Sequence, residues 1–422
     1  MLLENYKFMQ EQYIEYLRYF VGCKTVTSDP RTRIPEETQR EFERAFAYIN
    51  AEVSASQART GRRFYREEFD VEGRFSLVVS THQTKTPDVA LLIHLDVIDA
   101  PAELFVLRRD ERRPEVVIGR GAYDMKFAAA MALALLDHLP TETDDLSVAL
   151  IITSDEEKGG AKGAQHVCKQ GYQPRLLLVP DGGAYDRLAS GCKGAHFFSV
   201  TTRGIPAHGA YPWSGVNADN MLTSIKARLL DLYPENPSER EGQTLNIGAS
   251  VAGGDAPNKV PGVAEALFDF RFSTARDEIR LQQHLDLILQ DVVARVRQER
   301  PWLRERAADE VPSASYASIT RREALQRDMQ HPDLQHFRRL REARLGYPLR
   351  TGIDMGTNDS SFWPDIPAIL TMPRGGGEHA VDEWVDLQSV QDFAQDILQF
   401  LEEKKQARLR LLTLSQEVSP AL

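Results

Sequence analysis

Three unbroken apolar runs restrict this chain more than anything else in it: VALLIHLDVI, LSVALIITS and RLLLVP, each carrying or leading to acids or a histidine. None alternates apolar with polar residues as a half-solvated strand does, so each reads as a strand buried on both faces. Between them lie stretches with helical spacing, KFAAAMALALLDHL and the segment around AKGAQHVCKQ. Strands alternating with helices imply an α/β fold, a mostly parallel sheet with helices on both faces. Ahead of this core, Tyr6, Met9, Tyr13, Leu17 and Phe20 recur at three-to-four spacing, and Phe42, Phe46, Ile49 and Val53 repeat the pattern after Pro35. Two amphipathic helices are therefore expected first.

From about Gly194 the texture changes. HFFSVTTRG, MLTSIKARLLDLY, TLNIGASVAGG, ALFDFRFS and IRLQQHLDLILQDVVARV predict strand, helix, strand, strand, helix, an α+β unit with a small antiparallel sheet. After the Pro- and Ser-containing VPSASYAS the earlier style returns, with AILTM and a final helix from Leu387. The expected organisation is one domain built from residues 1–193 and 309–422, interrupted by an inserted domain of residues 194–308. At 422 residues, both have enough chain to bury a core.

Charge and cysteine content exclude several function classes. Lys and Arg total 51 against 62 Asp and Glu, so the net charge of −11 repels nucleic acid and anionic membranes. The three cysteines, Cys23, Cys168 and Cys192, have no C-x-x-C spacing, so they supply neither a disulfide framework nor a thiolate metal site. No basic segment followed by an apolar run opens the chain, and no 18 apolar residues run together. A soluble, cytoplasmic protein is the expectation.

Open α/β sheets place ligands at the carboxyl ends of their strands. There VALLIHLDVI carries His94 and Asp96, LSVALIITS runs into Asp155, Glu156 and Glu157, RLLLVP runs into Asp181, and AILTMPRGGGEH delivers His379; GRGAYDMK adds Asp124 in a glycine-containing turn. Singly, each has a plainer role as a hydrogen-bonded imidazole or a helix-capping acid. Together they place acids after three successive apolar strands, where burial costs several kcal/mol each unless a cation neutralises them. Imidazoles and carboxylates without thiolates match zinc, manganese or cobalt, and a two-metal site is the economical reading.

These residues also resemble a known family. His94-Leu95-Asp96, Gly119-Arg120-Gly121-Ala122-Tyr123-Asp124-Met125-Lys126, Asp155-Glu156-Glu157-Lys158-Gly159-Gly160, Asp181, Gly204-Ile205-Pro206-Ala207-His208 and His379 look like the motifs of the co-catalytic dinuclear zinc peptidases and deacylases, in the family's order, from about Ala90 to Trp384. That family includes acetylornithine deacetylase, succinyl-diaminopimelate desuccinylase, glutamate carboxypeptidase, aminoacylase and carnosinase-type dipeptidases. The resemblance implies a catalytic zinc-peptidase domain with an inserted dimerisation or lid domain. Asp124 would bridge two divalent ions, zinc or else cobalt or manganese, with His94 and Asp181 completing one coordination sphere and Glu157 and His379 the other. Asp96 would accept the second ring N–H of His94 and orient it. Glu156 would be the general base for hydrolysis of an amide bond.

In the inserted domain the same resemblance points to His208, Asn258 and Arg271. His208 would cross a homodimer to hydrogen-bond the oxyanion in the partner's active site, while Asn258 and Arg271 would bind substrate, Arg271 through its bidentate fork. Asp at position 181 resembles the aminopeptidase and dipeptidase members, whereas the acetylornithine, succinyl-diaminopimelate and carboxypeptidase members carry Glu. A dipeptide substrate is thus the expectation, and an N-acyl amino acid the alternative. Gly356-Thr357-Asn358-Asp359 resembles a substrate-proximal loop, and Gly375-Gly376-Gly377 could offer backbone N–H groups.

Two rival classes are weaker. Gly159-Gly160-Ala161-Lys162-Gly163 follows a strand as a phosphate loop would, but neither nucleotide motif is complete and three acids precede it. An inactive binding or regulatory member would be expected to have lost a ligand or the base, and none is missing.

Overall fold

Buried β-branched and leucine side chains dictate the central sheet. The computed structural model describes residues 2–27, 32–236, 238, 242–253, 256–307 and 310–417, with side chains from residue 11 to residue 410. The chain divides into two compact units, one of Met1–Gly191, Gln326–Asp354 and Asn358–Leu422, the other of Cys192–Leu325 and Met355–Thr357.

The first unit is built on six strands, in order across the sheet Tyr65–Val71, Arg74–Ser80, Val148–Thr153, Val89–His94, Leu177–Val179 and Ala368–Leu370. The first two and their junction with Val148–Thr153 are antiparallel; the remaining four strands run parallel. Successive residues of a strand point to opposite faces, and here both faces are covered. Leu91 and Ile93 join a core with the helices Leu2–Gly22, Glu36–Thr60, Lys126–Leu135 and Leu387–Glu417, while Ala90 and Leu92 join another with Ala164, Val167 and Trp363. Of the N-terminal stripe, Tyr13, Leu17 and Phe20 are buried in the first core; the side chains of Tyr6 and Met9 lie outside the described residues.

With each fully buried aliphatic residue worth about 1.5–3 kcal/mol, polar side chains are displaced to the strand ends. The strand order then concentrates them. After Val89–His94 the chain adds its next strand, Val148–Thr153, on one side and the following one, Leu177–Val179, on the other. This is a topological switch point, where α/β sheets open a crevice, and His94 pairs in register with Thr153 at its mouth.

The second unit is a four-stranded antiparallel sheet, in order Thr244–Ala252, Val263–Phe272, Gly194–Arg203 and Ser313–Arg322. The helices Ala218–Leu232 and Ala275–Glu299 share one core with its alternate residues. Here the sequence expectation needs correction. The segment containing VPSASYAS, read as the return to the first domain from residue 309, forms a strand paired from Ser313 to Arg322 with Arg203 to Ala195. Its residues are mostly exposed or half-exposed, with no apolar run to announce it, and its place is set by hydrogen bonds to a neighbouring strand. The return falls at Gln326.

Candidate metal centre

Three neighbouring parallel strands deliver the first polar groups. Val89–His94 ends in His94; Val148–Thr153 leads through Asp155 into a single tight turn, Glu156–Lys158; Leu177–Val179 leads to Asp181. Asp124 comes from the turn before Lys126–Leu135, through an Asp124–Met125 peptide that is cis, and His379 from a loop where its φ is +64°. All lie within the first unit.

These side chains converge. His94 Nε2 is 3.2 Å from Asp124 Oδ1 and 3.9 Å from Asp181 Oδ2, while His379 Nε2 is 3.3 Å from Asp124 Oδ2 and 3.0 Å from Glu157 Oε2. Each oxygen of Asp124 thus faces a different imidazole. Two clusters have ligand atoms mutually within 4.8 Å: His94, Glu156 and Asp181, and Asp124, Glu157 and His379. Glu156 is therefore itself a member of the first cluster.

Burial and like charge set the carboxyls of this cluster apart from ordinary surface acids. Burial pushes the Asp181 carboxyl well above the usual range, with the Glu156 charge adding to it, and burial raises Glu157 to about 7. Burial would raise Asp124 too, but the imidazoles of His379 and His94 beside its two oxygens outweigh it and hold it low. Those contacts with Asp124 and Glu157 lift His379 to about 10. Burial and mutual repulsion in such a set favour a neutralising positive charge. One atom discriminates further: His94 Nε2 is buried and lacks an acceptably aligned hydrogen bond, although Asp124 Oδ1 is only 3.2 Å away. A buried, unpartnered imidazole nitrogen among carboxylates is the donor set of a divalent cation, and these residues fit a pair of them.

Supporting groups hold these side chains. Asp96 is fully buried, and its carboxylate accepts from the backbone N–H of Glu156 at 3.1 Å and Glu157 at 3.0 Å. The His94 Nδ1 lies 3.1 Å from the Asp96 carbonyl and 3.5 Å from its carboxylate. The ring is thus oriented chiefly by the backbone oxygen, where the sequence pointed to the carboxylate. Asn358 Nδ2 donates to the Asp181 carbonyl at 2.8 Å, and Gly183 N–H donates to Asp354 at 2.7 Å. A Cβ on Gly183, with φ of +74°, would meet the Leu370 carbonyl at 2.5 Å, so this turn demands glycine. The sequence shows no sign of Asp354 or Glu383, whose local pattern resembles that of surface charges, and it marks Arg120 only as part of the Gly119–Lys126 motif, with no role of its own. The triglycine Gly375–Gly377 is partly spent, because Gly375 and Gly376 pair with Val385 and Trp384.

In the second unit the fold brings His208 and Asn258 together: Gly209 N–H donates to the Asn258 carbonyl at 2.6 Å, and His208 forms a backbone bridge with Lys259. The His208 side chain is exposed, its Nδ1 accepting from Ala210 N–H at 3.1 Å. Arg271 is placed differently from a waiting clamp. Its Nε and Nη2 donate to both oxygens of Asp269, at 2.7 and 3.0 Å, so that edge of its fork is already satisfied.

A switch-point crevice lined by two imidazoles and a surplus of carboxylates, in an α/β unit interrupted by an α+β unit, defines the class of co-catalytic metal peptidases and deacylases. Residues 90–403 match Peptidase family M20/M25/M40, and the chain belongs to that family. It is 32% identical over 188 residues to succinyl-diaminopimelate desuccinylase of Bordetella petrii, covering 42% of this chain and 50% of that protein. The chain spans about half the length of the curated relatives it matches. Among solved structures, a dipeptidase of Saccharomyces cerevisiae superposes with a TM-score of 0.70 at 13% identity, covering 96% of this chain and 98% of its own. A dinuclear metal-binding M20 peptidase of Bacillus subtilis gives 0.57 at 15% identity, covering 94% and 98%.

Proposed function

We propose that this chain is a metal-dependent hydrolase that cleaves an amide bond in a dipeptide or N-acyl amino acid, with two divalent cations and Glu156 as general base. The observation that carries this reading is Asp124, whose two oxygens face two different imidazoles. His94, Asp124 and Asp181 would hold one cation, and Asp124, Glu157 and His379 the other. When bound, the cations supply the Lewis-acid charge that makes a water acidic and polarises a carbonyl. Glu156, held at the site through the Asp96 contact to its backbone N–H, takes the proton of the attacking water and returns it to the leaving amine. Zinc is the proposed ion, cobalt and manganese satisfying the same donors. Two observations favour different substrates: Asp181 the dipeptide, and the likeness to a desuccinylase the N-acyl amino acid. Protein reconstituted with each metal should bind about two ions per chain and hydrolyse one class in a panel of dipeptides and N-acetyl-, N-succinyl- and N-acyl amino acids. Hydrolysis of none of them by a metal-loaded chain overturns the reading.

A homodimer formed through the inserted unit is part of the proposal. The edge strand Thr244–Ala252 is exposed along most of its length, Val251 by 67%, and an unpaired edge accepts another strand. His208 would then serve the partner's active site, with Asn258 and Arg271 binding substrate, Arg271 through its remaining N–H groups or by exchanging Asp269. Mixing inactive His208→Ala and inactive Glu156→Ala proteins should restore about a quarter of wild-type activity, since half the dimers are hybrids with one intact shared site. No recovery after demonstrated subunit exchange would refute sharing. A cytoplasmic location accords with three free cysteines. Separately, among the described residues no helix is long and apolar enough to cross a membrane.

A further inference from the structure

One buried carboxylate beside the metal centre is used by no ligand role, yet it gathers four donors. Glu383 is fully buried. Its Oε1 accepts from the backbone N–H groups of Tyr123 and Asp124, each at 2.9 Å, and its Oε2 from Gly121 N–H at 3.0 Å and Arg120 Nη1 at 2.7 Å. The surrounding backbone adds to this junction. Gly119 N–H donates to the Glu383 carbonyl at 3.1 Å, Trp384–Asp386 pairs antiparallel with Val116–Ile118, and Arg120 Nη2 donates to the carbonyl of Ala380 at 3.0 Å, one residue beyond His379.

The chemistry of these contacts gives the carboxylate a task. Three N–H groups of one tight turn point to a single spot and have no helix or strand partner there, which is the geometry of an anion nest. Gly121 makes the turn possible, with φ of +79° and room for no Cβ, which would lie 2.7 Å from Lys126 Cδ. Burying a carboxylate is costly unless its charge is cancelled and its lone pairs are filled; here Arg120 cancels the charge and four donors fill both oxygens. Nothing remains on Glu383 for a cation. The group therefore acts on Asp124 through that residue's own N–H, and on the His379 loop through Arg120.

We infer that Glu383, with Arg120, is the positioning pair of the metal centre: it aims the Asp124 carboxylate and sets where His379 stands relative to it. The inference rests on the two-cation reading above. It identifies one network that sets the distance between the ligand spheres sharing Asp124, because Asp124 and His379 come from segments joined at this carboxylate.

The test uses Glu383→Gln, nearly the same in shape, which removes the charge and turns one acceptor into a donor facing N–H groups. Folding is checked first by circular dichroism and thermal unfolding of the metal-free protein. The folded variant should bind Co²⁺ and Zn²⁺ about 10–100-fold more weakly in competition with a chelator, and its Co²⁺ visible absorption should differ in position or intensity from wild type. With metal saturating, kcat should fall by a larger factor than KM changes. Should Glu383→Gln fail to fold, Arg120→Lys keeps the charge but loses the reach to Ala380, and the same weakening and spectral change are expected of it. A folded variant with wild-type affinity and Co²⁺ spectrum overturns the positioning role while leaving the two-cation reading intact. A wild-type chain that binds no Co²⁺ or Zn²⁺ overturns the two-cation reading and the inference with it.

Discussion

Asp124→Asn protein is expected to fold, to retain at most one divalent ion per chain, and to turn over substrate at least ~10³-fold more slowly than wild type. The size follows from position. Both oxygens of Asp124 are engaged, one toward His94 at 3.2 Å and one toward His379 at 3.3 Å, so an amide in its place presents an N–H₂ group to one side and removes the shared negative charge. Each bound cation supplies several kcal/mol of transition-state stabilisation, and 1.36 kcal/mol is a factor of ten. Elemental analysis after dialysis and initial-rate measurements on the same preparation are the check. An Asp124→Asn chain that holds two ions at wild-type affinity would show that Asp124 bridges nothing.

The second large effect separates two roles that the geometry places close together. Glu156 lies in one cluster with His94 and Asp181, where a carboxylate could either hold a cation or move a proton. As general base it is dispensable for binding, so Glu156→Ala should keep its full metal content and lose about 10²–10⁴-fold in kcat. The supporting carboxylate of Asp96 reaches Glu156 and Glu157 through their backbone N–H groups, so truncating the Glu156 side chain leaves that contact and the Glu157 carboxylate in place. Loss of one metal equivalent along with the activity would make Glu156 a ligand, and the base would have to be sought elsewhere.

The strands around the centre are legible in the chain because each is a short run rich in Val, Ile and Leu, the pattern of a strand covered on both faces. The residues that meet there were legible for a related reason: a carboxylate or imidazole directly after such a run stands at a strand end. Other features left no local trace. Ser313–Arg322 is exposed or half-exposed along nearly all its length and has no apolar run, so its membership of the inserted sheet follows from pairing with Gly194–Arg203 and from nothing in its own periodicity. Arg271 looks like an available fork in sequence, and only the strand places Asp269 two positions away on the same face, where it occupies one edge of that fork.

What the sequence determined alone is therefore the α/β class, the presence of an α+β insertion and a surplus of acids and imidazoles at buried strand ends, since burial and periodicity act over a few residues. Tertiary structure decided which atoms meet: that Asp124 divides its oxygens between His94 and His379, that Asp96 supports a loop sixty residues away, and that Glu383 closes the Asp124 turn from 259 positions along the chain. Hydrogen bonds depend on direction and on distances within a few tenths of an ångström, and over such separations along the chain only the assembled fold sets either.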